Sequence, residues 1–184
     1  MSEGSFVHLH LHTQYSVLDG AVRIREAVAR AAELGMPAVA MTDHGNVFGA
    51  VDFYQSAVAA GIKPIIGCEL YLAPGSRHER KAASAAEAAT HLTVLASDEQ
   101  GYQNLLKLVS EAYLSGFYYK PRVDKELLAA HSGGIICLSG CLNGEANTFL
   151  QRGQPERARQ SVAEMRDIFG AGNFFIELHR HGLA

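Results

Sequence analysis

The stretch VHLHLHTQYSVLDG, residues 7–20, sets histidine at three alternate positions, His8, His10 and His12, and follows them with Thr13, Ser16 and Asp19. Side chains two apart along a strand share a face and stand roughly 6.6 Å apart, at ~3.3 Å per residue. The three imidazoles therefore point the same way, with His12 nearest the C-terminal end of the predicted strand. A pair at this spacing can bind one metal or bridge a cluster. In α/β barrels that end of the strands carries the chemistry, because the loops there vary while the barrel holds them. His8 lies deeper on the same face and reads as a core residue, or as one that orients a ligand from behind.

Working outward, short β-branched or apolar runs recur, and the pattern predicts strands at 6–11, 38–42, 64–71, 92–96, 135–138 and 174–176. Between the first two lies AVRIREAVARAAELG, an Ala-rich amphipathic helix closed by Gly35, and GAVDFYQSAVAAG repeats the scheme up to Gly61. Further helices are predicted at 99–110, 124–130 and 155–169. Strand and helix in alternation predict an α/β protein with mainly parallel strands in a single domain. The segment APGSRHERKAASAAEAAT, residues 73–90, reads as a basic loop leading into a short helix.

Composition narrows the function. The chain has 184 residues, 48% hydrophobic and 19% charged, enough for one domain or for part of a larger one. A formal net charge of −3 gives no footprint for nucleic acid over the chain as a whole, so contact with DNA needs a local cluster. No apolar run is long enough to span a bilayer, and MSEGSFVHLH lacks the layout of a signal peptide. Cys68, Cys137 and Cys141 form no secreted disulfide framework, which places the chain in a reducing cytoplasm.

Other predicted strand ends offer partners for the histidines. AVAMTDHGN ends at Asp43 and His44, IIGCELYLAP carries Glu69, and ICLSGCLNGE runs on to Cys141. Imidazole, carboxylate and thiolate from separate strands are ligands for zinc or related divalent ions. Cys68 faces away from Glu69 on the same strand and reads as a small buried residue, as does Cys137 in its apolar run.

HLHTQYSVLDG followed by MTDHGN, GCELY, HLTVLA and SGC resembles the PHP (polymerase and histidinol phosphatase) domain. GIKPIIGCELYLAP, GYQNLLKLVSEAYLSGFYYKPRVD and LSGCLNGE are similar to the N-terminal part of the C-family bacterial replicative DNA polymerases. The resemblance implies a distorted seven-stranded β/α barrel of PHP type, holding two or three metals at one end. It implies the ligands His10, His12, Asp19, His44, Glu69, His91 and Cys141, with Zn²⁺ or Mn²⁺ suiting this donor set better than Mg²⁺.

The family pattern closes with a D-x-H motif on a last strand. This sequence holds no such motif, and HRHG at 179–182 does not replace it. Residues 1–184 are thus expected to be the N-terminal portion of a PHP domain truncated before its last strand. Two ligands, the polymerase palm, fingers and thumb, and a Mg²⁺-dependent nucleotidyl-transfer site are expected beyond it. The implied partners are DNA at a primer 3′ end and, through the longer protein, a sliding clamp and an exonuclease subunit, with no membrane.

Read without the resemblance, Asp19 is equally a helix N-cap before GAVRIREAV, and His91, which opens its strand, is a surface histidine. His78, His131, His179 and His181 lie in polar settings and read as solvated, as does the run from Arg77 to Lys81. YYKPRVD sets Lys120 and Arg122 beside two tyrosines, which suits a phosphate backbone and a stacked base, or equally a plain surface loop. Three functions fit: a 3′–5′ proofreading exonuclease within a polymerase, a metal-stabilised platform that docks a separate proofreading subunit, and a stand-alone PHP phosphoesterase. The filled ligand positions favour the first over the second, and the missing D-x-H motif disfavours the third.

Overall fold

The periodicity of residues 24–31 decides the first helix. Ile24, Ala27, Val28 and Ala31 recur at helical spacing and are the buried face of α1 (Ile24–Glu33). The structure, a computed structural model, describes residues 6–179. From α1 the chain enters β1 (Ala38–Met41), α2 (Ala50–Ala59) and β2 (Lys63–Leu72), and β1 pairs with β2 in parallel as predicted. The helices predicted to close at Gly35 and Gly61 have both ended by those residues.

After β2 the pattern changes. A short α3 (Ala85–Ala88) leads to β3 (Thr90–Ala96), which runs antiparallel to β2. There follow α4 (Glu99–Leu114), β4 (Arg122–Val123), α5 (Lys125–Ala130), β5 (Ile135–Leu138), α6 (Glu145–Gln151), α7 (Pro155–Phe169) and β6 (Phe174–Phe175). The sheet order is β1-β2-β3-β5-β6, with β4 alongside the end of β2. β3 is antiparallel to β5 as well, while β5 and β6 are parallel. The expectation of mainly parallel strands holds for five of the six, and β3 alone runs against them. Among the described residues the sheet has six strands and does not close, as a barrel short of a strand would be.

Residues 6–11 form no ladder. They lie along β1, where Ala40 N–H donates to the His8 carbonyl (2.8 Å) and Thr42 N–H to that of Leu11 (2.9 Å). Three residues here span two on β1, an offset of the kind a bulge creates. It takes His8 out of phase with His10 and His12. His8 is exposed and packs edge-on against Phe6, so the reading of it as a core residue is corrected.

One face of the sheet carries the main core. Cys68, Leu70, Leu72, Leu92, Val94 and Cys137 pack there against Leu105 and Leu108 of α4, Leu128 of α5 and Met165 of α7. The two cysteines are buried as predicted. Glu69, Tyr71, His91 and Thr93 alternate onto the opposite face. Among the described residues no helix is long and apolar enough to cross a membrane.

α4 starts at the cap Asp98, whose side chain accepts from Gly101 N–H at 2.8 Å. Gly101 packs so closely on the 133–134 turn that an added Cβ would stand 1.8 Å from the Gly134 carbonyl oxygen. Gly101→Ala raises helix propensity by about 1 kcal/mol. Thermal or denaturant unfolding should nonetheless show a net loss of about 2 kcal/mol, because the crowding is with backbone. An unchanged or raised midpoint would show that the turn moves aside freely.

Candidate metal centre

The centre of the site is Glu69, whose side chain is only 1% exposed. Its Oε2 lies 3.1 Å from His10 Nε2, 2.8 Å from His12 Nε2 and 3.2 Å from His44 Nδ1. Its Oε1 lies 2.9 Å from His91 Nδ1, and the Cys141 thiol approaches the same oxygen at 3.6 Å. One carboxylate thus faces four imidazoles with its two oxygens turned to different partners.

Each of these side chains arrives by a traceable route. The segment after β1 continues beside β2, where Glu69 N–H donates to the Asp43 carbonyl (3.1 Å) and Gly45 N–H to that of Glu69 (2.9 Å), so His44 sits next to Glu69. Because β3 is antiparallel, its first residues lie at the C-terminal end of β2, and His91 pairs with Tyr71. The misfit of a histidine that opens its strand is thereby resolved. β5 reverses again, so the turn beyond it carries Cys141 back to His91, at 3.7 Å from Nδ1. His91 N–H donates to the Asn143 carbonyl in that turn (2.9 Å).

Asp19 caps no helix, since α1 begins at Ile24 with Arg23 as its N-cap. Its half-exposed carboxylate lies 3.0 Å from His44 Nε2 and 3.6 Å from His12 Nδ1. The loop that presents it is held from beneath by Asp43, which is fully buried. Asp43 Oδ1 accepts from Thr13 N–H (2.6 Å) and from the Ser16 hydroxyl (2.8 Å), and Oδ2 accepts from the Thr13 hydroxyl (2.7 Å). Ser16 Oγ in turn accepts from His44 N–H at 3.0 Å.

The electrostatics follow from crowding around one acid. Burial alone would raise the Glu69 carboxyl, but hydrogen bonds from His10, His12 and His91 hold it far below the usual carboxylate range. Burial lowers an imidazole, yet hydrogen bonds to Glu177 and Glu69 push His10 up to about 10. At His91, burial is outweighed by hydrogen bonds to Cys141 and Glu69, and its pKa rises to about 9. His44 is held below its ordinary value, by burial and by the neighbouring His12 and His91, against the pull of Glu69 and Asp19. A single buried carboxylate cannot keep four adjacent imidazoles charged.

The donors fit a divalent ion. Three groups, His10–His12–Glu69, His12–Asp19–His44 and His44–Glu69–His91, each bring their ligand atoms within 4.8 Å of one another. With Nε2–H given to Asp19, His44 Nδ1 is a buried lone pair that faces Glu69 Oε2 and makes no hydrogen bond. Two electron-rich atoms in that position are reconciled by a cation between them.

The two remaining predicted residues part company. Arg122 is buried, and its guanidinium donates to the carbonyls of Gly116 (3.1 Å), Ala88 (3.4 Å), Arg77 (2.8 Å) and Glu79 (2.8 Å). Four of its five N–H groups are given to the protein and the side chain is buried, so the expectation that it binds phosphate is corrected. Lys120 holds its ammonium 5.2 Å from the centre of the Tyr71 ring, which stacks on His44. Arg77 is likewise no solvated charge, as its guanidinium pairs with Asp124 at 2.9 Å.

Sequence reasoning missed Glu177, whose Oε1 lies 2.7 Å from His10 Nδ1, and read as solvated His179, whose Nε2 lies 2.5 Å from the same oxygen. Their alternate spacing in FFIELH is the signal that had singled out His10 and His12. His181 lies outside the described residues.

The sequence matches the PHP domain over residues 8–181. The chain belongs to the PHP domain family. This PHP chain is 51% identical to the DNA polymerase III subunit alpha of Treponema pallidum, over 100% of its own length and 16% of that protein. With that of Thermus aquaticus it shares 49% identity over 99% of its own length and 15% of the relative. For Saccharopolyspora erythraea the figures are 49%, 97% and 16%. The chain thus spans about one-sixth of the length of the curated relatives it matches. A solved structure from Bifidobacterium adolescentis, described as a metal-dependent phosphoesterase, aligns over 90% of this chain and 84% of its own, at 13% identity and a TM-score of 0.49.

The raised imidazoles make metal uptake by the PHP chain a competition with protons. His10 and His91 gain stability from their protons below about pH 6.5 and lose it as pH rises through about 9 to 10. Zn²⁺ affinity should therefore climb at least tenfold per pH unit between about pH 7 and 9, with protons released on binding. Calorimetry in buffers of different ionisation enthalpy measures both. Binding that is flat across this range would show that these nitrogens are not displaced from their protons.

Proposed function

We propose that the chain is the PHP portion of a bacterial replicative DNA polymerase, and that its cluster hydrolyses phosphodiesters at a DNA 3′ end as a proofreading exonuclease. The observation that carries this reading is the convergence of four imidazoles, a thiol and Asp19 around the buried Glu69 carboxylate. The near 50% identity to DNA polymerase III alpha subunits, along almost the whole chain, supports the polymerase context.

His10, His12, Asp19, His44, Glu69, His91 and Cys141 would hold two or three ions, and nitrogen, oxygen and sulfur together suit Zn²⁺ or Mn²⁺. Such ions, when bound in pairs, lower the pKa of water and stabilise the attacking and leaving oxygens of a phosphoryl transfer. Glu69 would offer both its oxygens to such ions, since Oε2 faces His10, His12 and His44 while Oε1 faces His91 and Cys141. Asp19 stands at the solvent-facing rim, where its position depends on the Asp43–Ser16–Thr13 network. Lys120 would offer a cation to a phosphate, and Tyr71, over which its ammonium lies, packs against His91.

In this reading nucleotide addition, with its own Mg²⁺ site, belongs to the longer polypeptide, as do contacts with a sliding clamp and an exonuclease subunit. A second reading rests on a different observation. The cluster ties together five segments far apart in sequence, around residues 10–19, 44, 69, 91 and 141. A metal-filled staple of that kind would also serve as a platform on which a separate proofreading subunit docks.

The deciding experiment follows nucleotide release from a mismatched primer 3′ end by the full-length polymerase, with Mn²⁺ or Zn²⁺, beside His12→Ala. We expect stepwise release, and a loss in H12A exceeding the roughly 100-fold that removal of an outer partner costs. No release from folded, metal-loaded protein would leave the structural reading in its place.

A further inference from the structure

His10 faces two ways. Its Nε2 looks into the cluster, 3.1 Å from both Glu69 Oε2 and His12 Nε2, while its Nδ1 looks outward to Glu177 Oε1 at 2.7 Å. We propose that Glu177 is a positioning residue that accepts the Nδ1 proton of His10 and so leaves Nε2 bare for the metal. The inference rests on the metal-centre reading above and assigns a role to a residue outside the seven ligand positions.

A neutral imidazole has one N–H and one lone pair, and an ionised carboxylate only accepts. Glu177 therefore selects the tautomer with the proton on Nδ1. The other neighbour of that nitrogen, the Thr93 hydroxyl at 3.4 Å, is too distant to compete. Glu177 is itself well held. Its N–H donates to Ser139 Oγ (2.9 Å), just beyond the pairing of Leu138 with Phe175, and His179 Nε2 meets Oε1 at 2.5 Å. The side chain is 11% exposed, so water competes little for the bond.

The rival assignment makes Glu177 a ligand. Its Oε2 is buried without a hydrogen bond, and His10, Glu177 and His179 bring ligand atoms within 4.8 Å of one another. A metal there would sit on Nδ1 and withdraw His10 from the Glu69 cluster.

Two substitutions separate these roles. Glu177→Gln keeps an oxygen that accepts from Nδ1–H but is a poor ligand, and Glu177→Leu keeps the volume and removes the acceptor. Zn²⁺ affinity and stoichiometry are read by chelator competition, with the melting temperature of the metal-free protein measured in parallel. We expect E177L to bind Zn²⁺ about 10- to 100-fold more weakly, E177Q to recover most of that loss, and the number of ions to stay constant. Equal weakening in both variants with loss of one ion would make Glu177 a ligand, and parental affinity in E177L would remove it from the site. Should E177L fail to fold, E177Q decides alone, since retained affinity with an unchanged ion count excludes the ligand role. A parent protein that binds no Zn²⁺ would overturn the metal-centre reading itself.

Discussion

The structure turns on one unfavourable act made tolerable, the burial of the Glu69 carboxylate. Taken from water alone, such a group would cost several kcal/mol or give up its charge. It stays ionised because His10, His12 and His91 donate to it. That requirement fixes much else, since the imidazoles come from the 8–12 segment, the turn after β1 and the start of β3, and all must converge within about 3 Å. The alternation of β2 does the sorting. Glu69 and Tyr71 look toward the site, while Cys68, Leu70 and Leu72 look into the main core.

The same geometry leaves the site unfinished in electrostatic terms. His44 Nδ1 faces Glu69 Oε2 without a hydrogen bond, and His10 and His91 are pushed up while His44 is held down although they share one acid. A cluster evolved only to satisfy its own hydrogen bonds would have no need of that arrangement. A cation resolves both features, and the donor set then ceases to look crowded.

Much of this was legible in the sequence, because alternate spacing and glycine-bounded motifs are local signals. His10, His12 and Glu69 follow from strand periodicity, and the two inert cysteines follow from the same rule. Strand direction is not local. His91 looked misplaced because nothing in HLTVLA reveals that β3 runs against β2, and Cys141 depends on a second reversal. The offset that turns His8 outward comes from pairing with β1 and leaves no mark in VHLHLH. Arg122 failed for another reason: a tyrosine-flanked basic residue looks the same whether its guanidinium awaits a phosphate or caps four carbonyls of its own chain. Glu177 was missed although its spacing from His179 is informative, because Glu177-Leu178-His179 is not the D-x-H motif of the family.

The antiparallel placement of β3 has an evolutionary side. β2 ends and β3 begins at the same edge of the sheet, so residues 73–89 form an excursion that leaves from and returns to the mouth of the cluster. Its anchor points, Arg77 on Asp124 and the Arg77 and Glu79 carbonyls on Arg122, use none of the side chains gathered around Glu69. The length and sequence of this excursion can therefore drift under selection for whatever approaches the opening, while the inner donor constellation stays fixed. One inner constellation can thus be combined with openings of different shape.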